Sequence, residues 1–226
     1  MTPDLLSNLP SRIHMILEEG AKEGASRIAF TDEDGAEWSY RRLIDTVADV
    51  AGKMAELGVR PGDRVMVVCE NSIAAIVLMY AASRLDAWSV MTSARLSSRE
   101  IDLIKEDSSP RCVFYTHTIS SEADAHARRH GATLEVFDEI GRVKVGSLDA
   151  GTMAESVESD PAKQVATLIY TTGTTGRPKG VMLSHRNLAF VACRGKLTKT
   201  ILADDVSLCL MPISHSSGLA LMQALL

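Results

Sequence analysis

Between residues 60 and 137, apolar runs short enough for strands alternate with stretches long enough for helices, and turn residues separate them. The series opens at Arg60-Pro61-Gly62-Asp63, where proline fixes φ and glycine is free to take φ > 0. A buried strand is expected over 64–69, then a helix over 72–85 and a strand over 87–91. A helix over 97–107, a strand over 111–115, a helix over 120–130 and a strand over 133–137 follow. Parallel strands need crossovers of a dozen or more residues, commonly helical, and this spacing supplies them. The pattern therefore predicts an α/β fold, a mostly parallel sheet with helices on both faces.

The flanks fit the same scheme. Ile13, Ile16 and Leu17 share one face of a short helix over 11–24. A hairpin is expected from 27–31 through Asp32 to Gly35 into 36–39, with Ser39 capping the next helix. Leu43, Val47, Val50, Met54 and Leu57 recur at spacings of three and four, an amphipathic stripe that Gly58 would end. Gly, Ser and acidic residues gather over 138–161, which reads as a surface connection with a short strand at Val143 and Val145. Ser184 is placed to cap a helix over 185–197. Asp204-Asp205 suits a turn, 206–211 a strand, and 219–226 an apolar helix.

Composition narrows the classes. A net charge of −5 without a basic block points away from nucleic acid, and 4% aromatic residues make a poor base-stacking platform. Cys69, Cys112, Cys193 and Cys209 show no CxxC spacing and read as reduced thiols. Residues 1–12 lack a basic region followed by an apolar core, and no apolar run approaches the length of a membrane span. The expectation is a cytoplasmic protein.

The chemistry-bearing stretch is residues 171–180, Thr-Thr-Gly-Thr-Thr-Gly-Arg-Pro-Lys-Gly, between the apolar runs 165–170 and 181–183. Glycines let backbone approach a ligand, threonine hydroxyls donate, successive N–H groups form an anion nest, and lysine adds a mobile charge. A polyphosphate cradle fits. So does an ordinary Gly/Thr turn between strands. The Walker pattern does not, because Gly180 follows Lys179 and Pro178 occupies the position it would need.

In residue order, Tyr170 to His185 resembles the phosphate loop of the adenylate-forming (AMP-binding) enzymes: acyl-CoA synthetases, aryl acid:CoA ligases, luciferases and peptide-synthetase adenylation domains. The family's usual Ser is Thr172 here, which keeps the hydroxyl. The likeness extends through Trp38 to Leu43, Gly58 to Val65, Glu70-Asn71-Ser72 and Arg95-Leu96-Ser97. It ends in Pro212, His215 and Gly218, the family's second motif, with Ser214 where a bulky residue is usual. Asp86-Ala87 and Thr92-Ser93 also depart from the family pattern.

The resemblance implies the N-terminal part of the adenylate-forming fold, truncated. A first α/β subdomain with its connection would occupy 1–160, and 161–226 would start a second carrying the phosphate loop, without the mobile C-terminal domain. It implies ATP-dependent activation of a fatty or aryl acid to acyl-AMP, then transfer to CoA, as in fatty acid metabolism. Thr171, Thr172, Gly173, Thr174, Thr175, Gly176, Arg177 and Lys179 would hold ATP. Lys179 and His215 would serve catalysis, His215 beside the acid, although a hydrogen-bonded His at a strand end is the plainer reading. Ligands for Mg²⁺ and most CoA contacts are expected beyond Leu226, and no metal ligand is assigned. The 226-residue chain alone is expected to be inactive, and to self-associate or to be paired with missing chain, with a homo-oligomer one outcome. A peptide-synthetase-like adenylation domain, a non-catalytic nucleotide-binding module and a purely structural α/β domain stay open as alternatives.

Two further histidine sites invite attention. His126 and His130, at i and i+4, could face a metal, but two intervening arginines favour a solvated face. His185 suits either the neighbourhood of the phosphate loop or a plain first-turn position.

Overall fold

The computed structural model describes residues 8–32, 34–172, 177–199 and 205–226. In chain order the elements are α1 (Met15–Ala21), β1 (Ile28–Thr31), β2 (Glu37–Ser39), α2 (Tyr40–Glu56), β3 (Arg64–Cys69), α3 (Ile73–Arg84), β4 (Trp88–Ser93), α4 (Ser98–Ser108) and β5 (Cys112–Tyr115). After them come α5 (Ser121–Arg129), β6 (Thr133–Val136), β7 (Arg142–Val145), β8 (Val165–Thr172), β9 (Pro178–Ser184), α6 (His185–Lys199) and α7 (Ser216–Leu225).

Serine sets most of the helix starts. Ser39, Ser72, Ser97, Ser120 and Ser184 each accept the amide three residues on, at 3.2–3.3 Å. Each such cap is worth about 1 kcal/mol. At α4 the cap is reciprocal, because Glu100 returns a bond to the Ser97 amide.

β1 and β2 form a separate hairpin, and the other seven strands form one sheet in the order β6-β7-β5-β3-β4-β8-β9. The centre is parallel: β3 pairs with β4 and β5, and β4 with β8. Both margins are antiparallel, β6–β7–β5 on one side and β8–β9 on the other. Helices cover both faces, as expected. Val65, Val67 and Cys69 of β3 join the core under α2 and α3, which includes Leu43, Val50 and Met54. Met66 and Val68, one residue out of phase, join Ile101 and Ile104 of α4 and Ala123 and Ala127 of α5. Period-two alternation thus splits one strand between two cores.

Two expectations need correction. Residues 138–161 are not only a surface connection: β7 lies inside the main sheet, with Val143 and Val145 buried and Val145 opposite Phe114. Residues 206–211 form no strand. Val206, Leu208 and Leu210 are 99%, 76% and 77% exposed, because no strand among the described residues pairs with this extended stretch. Asp204 lies outside the described residues.

Candidate functional site

β3, β4 and β8 run parallel, so their carboxyl ends share one edge of the sheet. Open α/β sheets bind ligands at this edge. β8 passes it: Ile169 is opposite Met91, and Thr171 and Thr172 continue further. Thr171 pairs with Lys179 and Thr172 with Pro178, so both ends of the stretch 171–180 are strand. Gly173, Thr174, Thr175 and Gly176 lie outside the described residues. Thr171, Arg177 and Lys179 are exposed. Among the described residues neither cation is paired with a carboxylate. Thr171 and Lys179, as cross-strand partners, project to one face of the hairpin.

The stem below the turn is fixed from its other face. The Tyr170 hydroxyl donates to Asp107 Oδ2 of α4 at 2.6 Å. Its ring lies across Gly180, where a Cβ would meet Tyr170 Cζ at 3.0 Å and Leu168 Cδ2 at 3.4 Å. Gly180 therefore makes room for an aromatic ring in a strand and does not shape the turn. Burial, then the hydrogen bond to the Asp107 carboxylate, pushes the Tyr170 phenol up, so it remains a neutral donor.

At the end of β3, Glu70 and Asn71 tie neighbouring connections to the same edge. Glu70 accepts from Arg95 Nη2 at 2.6 Å and from Ser120 Oγ at 3.1 Å, joining the segments after β4 and β5. The Asn71 side chain binds backbone groups of residues 209–213. His215 follows, exposed, as the residue before α7. Strands are spaced by roughly 4.8 Å, so the ends of β3 and β8, on either side of β4, lie about 10 Å apart. The sheet order thus places the Lys179 hairpin and the strand end that holds the His215 segment on one edge. No bond among the described residues joins Lys179 to His215. Sequence reading assigned neither Asn71 nor Tyr170 a role. The signal available was the polar pair Glu70-Asn71 directly after an apolar strand.

The other histidines sit elsewhere. His126 is buried, and its Nε2–H is shared between the Ala94 and Leu96 carbonyls at 3.1 and 3.2 Å. His130 accepts from the Tyr115 hydroxyl at 2.6 Å and donates to Asp102 at 2.9 Å. The pair is therefore not a solvated face. His126 ties α5 to the connection between β4 and α4, and His130, just past the end of α5, bridges α4 and β5. Among the described residues no three His, Cys, Asp or Glu side chains gather to hold a metal. His185 stands at the amino edge, next to Gln164, the full length of β9 away from the turn.

Comparison with known proteins agrees with this architecture. The chain is 33% identical over 190 residues to a feruloyl-CoA synthase of Amycolatopsis sp., covering 83% of this chain and 36% of that one. It spans little more than a third of the curated relatives it matches. The ATP-bound structure of MatB from Rhodopseudomonas palustris superposes with a TM-score of 0.73 at 29% identity, covering 95% of this chain and 43% of that one. A long-chain-fatty-acid-CoA ligase from Archaeoglobus fulgidus gives 0.76 at 25% identity, covering 96% and 45%. The model of the AMP-binding enzymes matches residues 17–226. With that match over nearly its whole length, and a fold shared with CoA ligases, the chain belongs to the AMP-binding enzyme family.

Proposed function

We propose that the full-length protein activates a carboxylic acid with ATP and passes the acyl group to CoA. The observation that carries this reading is the β8–β9 hairpin, which sets Thr171 and the unpaired cation Lys179 side by side at the carboxyl edge of the sheet. In the first half-reaction a carboxylate oxygen bonds to the α-phosphorus of ATP and pyrophosphate leaves. In the second, the CoA sulfur bonds to the acyl carbon, AMP leaves and the thiol proton passes to solvent. Two anions meet in the first step, so fixed positive charge and aimed donors lower its barrier. Lys179 and Arg177 supply charge, Thr171 and Thr172 with residues 173–176 supply donors, and His215 orients the acid. Mg²⁺ would offset phosphate charge, but the described residues do not fit a site for it, and its ligands would come from elsewhere in the protein.

Lys179→Ala tests the reading. The side chain is exposed on an edge strand, so its removal leaves no core cavity. Acid-dependent ATP–pyrophosphate exchange by the full-length protein should fall by the equivalent of roughly 2–4 kcal/mol, with the melting temperature unchanged. Undiminished exchange would remove Lys179 from the chemistry. Tight nucleotide binding by the wild type without exchange would favour the non-catalytic module.

A further inference from the structure

We propose that Asn71 is a positioning residue for the acid half of the reaction, acting as a three-pronged clamp on the segment that delivers His215. The inference rests on the function proposed above. It is carried by one side chain that uses both its ends on another segment's backbone. Asn71 Nδ2 donates to the Cys209 carbonyl at 3.1 Å and to the Met211 carbonyl at 2.9 Å. Its Oδ1 accepts the Ile213 amide at 2.9 Å. The acceptors and the donor alternate, 209, 211 and 213, as they would along the edge of a neighbouring strand.

That pattern matters because residues 206–210 belong to no strand among the described residues. One amide stands in for a strand, and it is anchored at both ends of its own backbone. Cys69 before it belongs to β3, and Ser72 after it caps α3. The clamp therefore ties the 209–213 backbone to the carboxyl edge itself. Beyond Ile213 the chain has little room to move. Pro212 accepts the His215 amide at 2.9 Å, closing a turn. Gly218 sits so close behind that a Cβ there would lie 2.2 Å from the Pro212 carbonyl oxygen and 2.6 Å from that of Met211. From Asn71 to the His215 backbone, each link is a hydrogen bond or a backbone contact. The Asn71 side chain is the only link supplied by the preceding part of the fold among those the bonds at 209–213 show.

The chemistry predicts how the clamp fails. Asn71→Asp is nearly isosteric but turns the donating end into an acceptor, so an oxygen would face the Cys209 and Met211 carbonyls. Asn71→Ala removes all three bonds and introduces no repulsion. Both should be made in the full-length protein beside His215→Ala. Deuterium uptake should rise about tenfold in rate over 207–216 in both Asn71 variants, since Ala takes away the Ile213 amide's acceptor and Asp, which keeps that acceptor, repels the Cys209 and Met211 carbonyls, and it should stay unchanged over 165–172 and 178–184. KM for the acid should rise tenfold or more, with Asp worse than Ala, while KM for ATP stays within twofold. His215→Ala should raise KM for the acid without changing uptake over 207–213.

Unchanged uptake over 207–216 in both variants would overturn the clamp. Equal rises in KM for ATP and acid would show a general loss of structure, and would also overturn it. A wild-type protein with no acid-dependent pyrophosphate exchange would sink the proposed function instead, and the clamp would then stand or fall on the uptake. A His215→Ala variant with unaltered acid kinetics would refute the positioning role, even if the uptake shows the bonds are real.

Discussion

His185 begins α6 with no exposed surface, and its Nδ1 accepts the Ile13 amide at 3.1 Å, which places its proton on Nε2. Burial and the nearby Arg12 and His14 push its pKa down to about 3, and burial with Arg84 pushes that of His14 to about 4. Both folded values lie below the ordinary value of 6.5, so the unfolded chain takes up these protons first. The stability they contribute is complete above about pH 6.5 and is lost as pH falls toward 4 and then 3. Each can cost at most about 1.4 kcal/mol per pH unit in that window. Denaturant midpoints should stay level from pH 7.5 to about 6.5 and fall from there to pH 4.5. His185→Gln, whose amide can still accept from Ile13, should flatten the slope. An unchanged slope would mean that His185 titrates normally. At this scale the sequence was partly legible. Ser39 and Ser184 could be named as caps because a cap is read three residues away. His126 and His130 could not, because the Ala94, Leu96, Asp102 and Tyr115 groups that bind them lie 15 to 32 residues off.

Among elements, the β8–β9 hairpin is the one on which the proposed chemistry depends. Its two strands are at a sheet margin, with β9 unpaired on its outer side among the described residues and Val181 and Met182 exposed. Such a strand is weakly held in register. The Tyr170–Asp107 bond and the fit of the ring over Gly180 oppose slippage. Tyr170→Phe keeps the ring and removes only the hydroxyl, so it should raise KM for ATP in the full-length protein about three- to tenfold. The melting temperature should change by no more than a few degrees. Initial rates over a range of ATP concentrations, with acid saturating, check this, and an unchanged KM would reduce the bond to a surface detail. The parallel centre of the sheet was legible because each crossover helix advertises itself by period and cap. Antiparallel β7 was obscured by two valines among Gly and acidic residues. Its burial comes from Phe114 and Tyr115 across the pairing, which local pattern does not show.

Over the whole molecule, polar ties differ between the two edges of the sheet. At the amino edge Arg12 binds Asp86 at 2.5 Å and the Glu158 carbonyl at 2.9 Å, Arg60 binds Asp63 at 2.9 Å, and Arg64 binds Glu155. At the carboxyl edge Glu70 and Asn71 do the tying, and Thr171, Arg177 and Lys179, the residues proposed to meet phosphate, are exposed. The expected strand at 206–211 failed at this scale too. Its pattern suits a sheet, but Val206, Leu208 and Leu210 have nothing to pack against in the described chain. An exposed apolar stretch of that kind drives association. Sedimentation velocity on the 226-residue chain should show species larger than a monomer as concentration rises. Leu208→Glu with Leu210→Lys should shift it back toward monomer, and a single concentration-independent monomer would contradict this.

The strand order also has a meaning in time. β3, β4 and β5, the middle of the large sheet, all come from residues 64–115, with their two crossover helices between them. Everything needed to close that centre has been synthesised fifty residues before β8 begins at Val165. Chains emerge from the ribosome N-terminus first, and local units close as they appear. The β8–β9 hairpin is thus the last part of the sheet to arrive, and it adds to β4 as a template already standing.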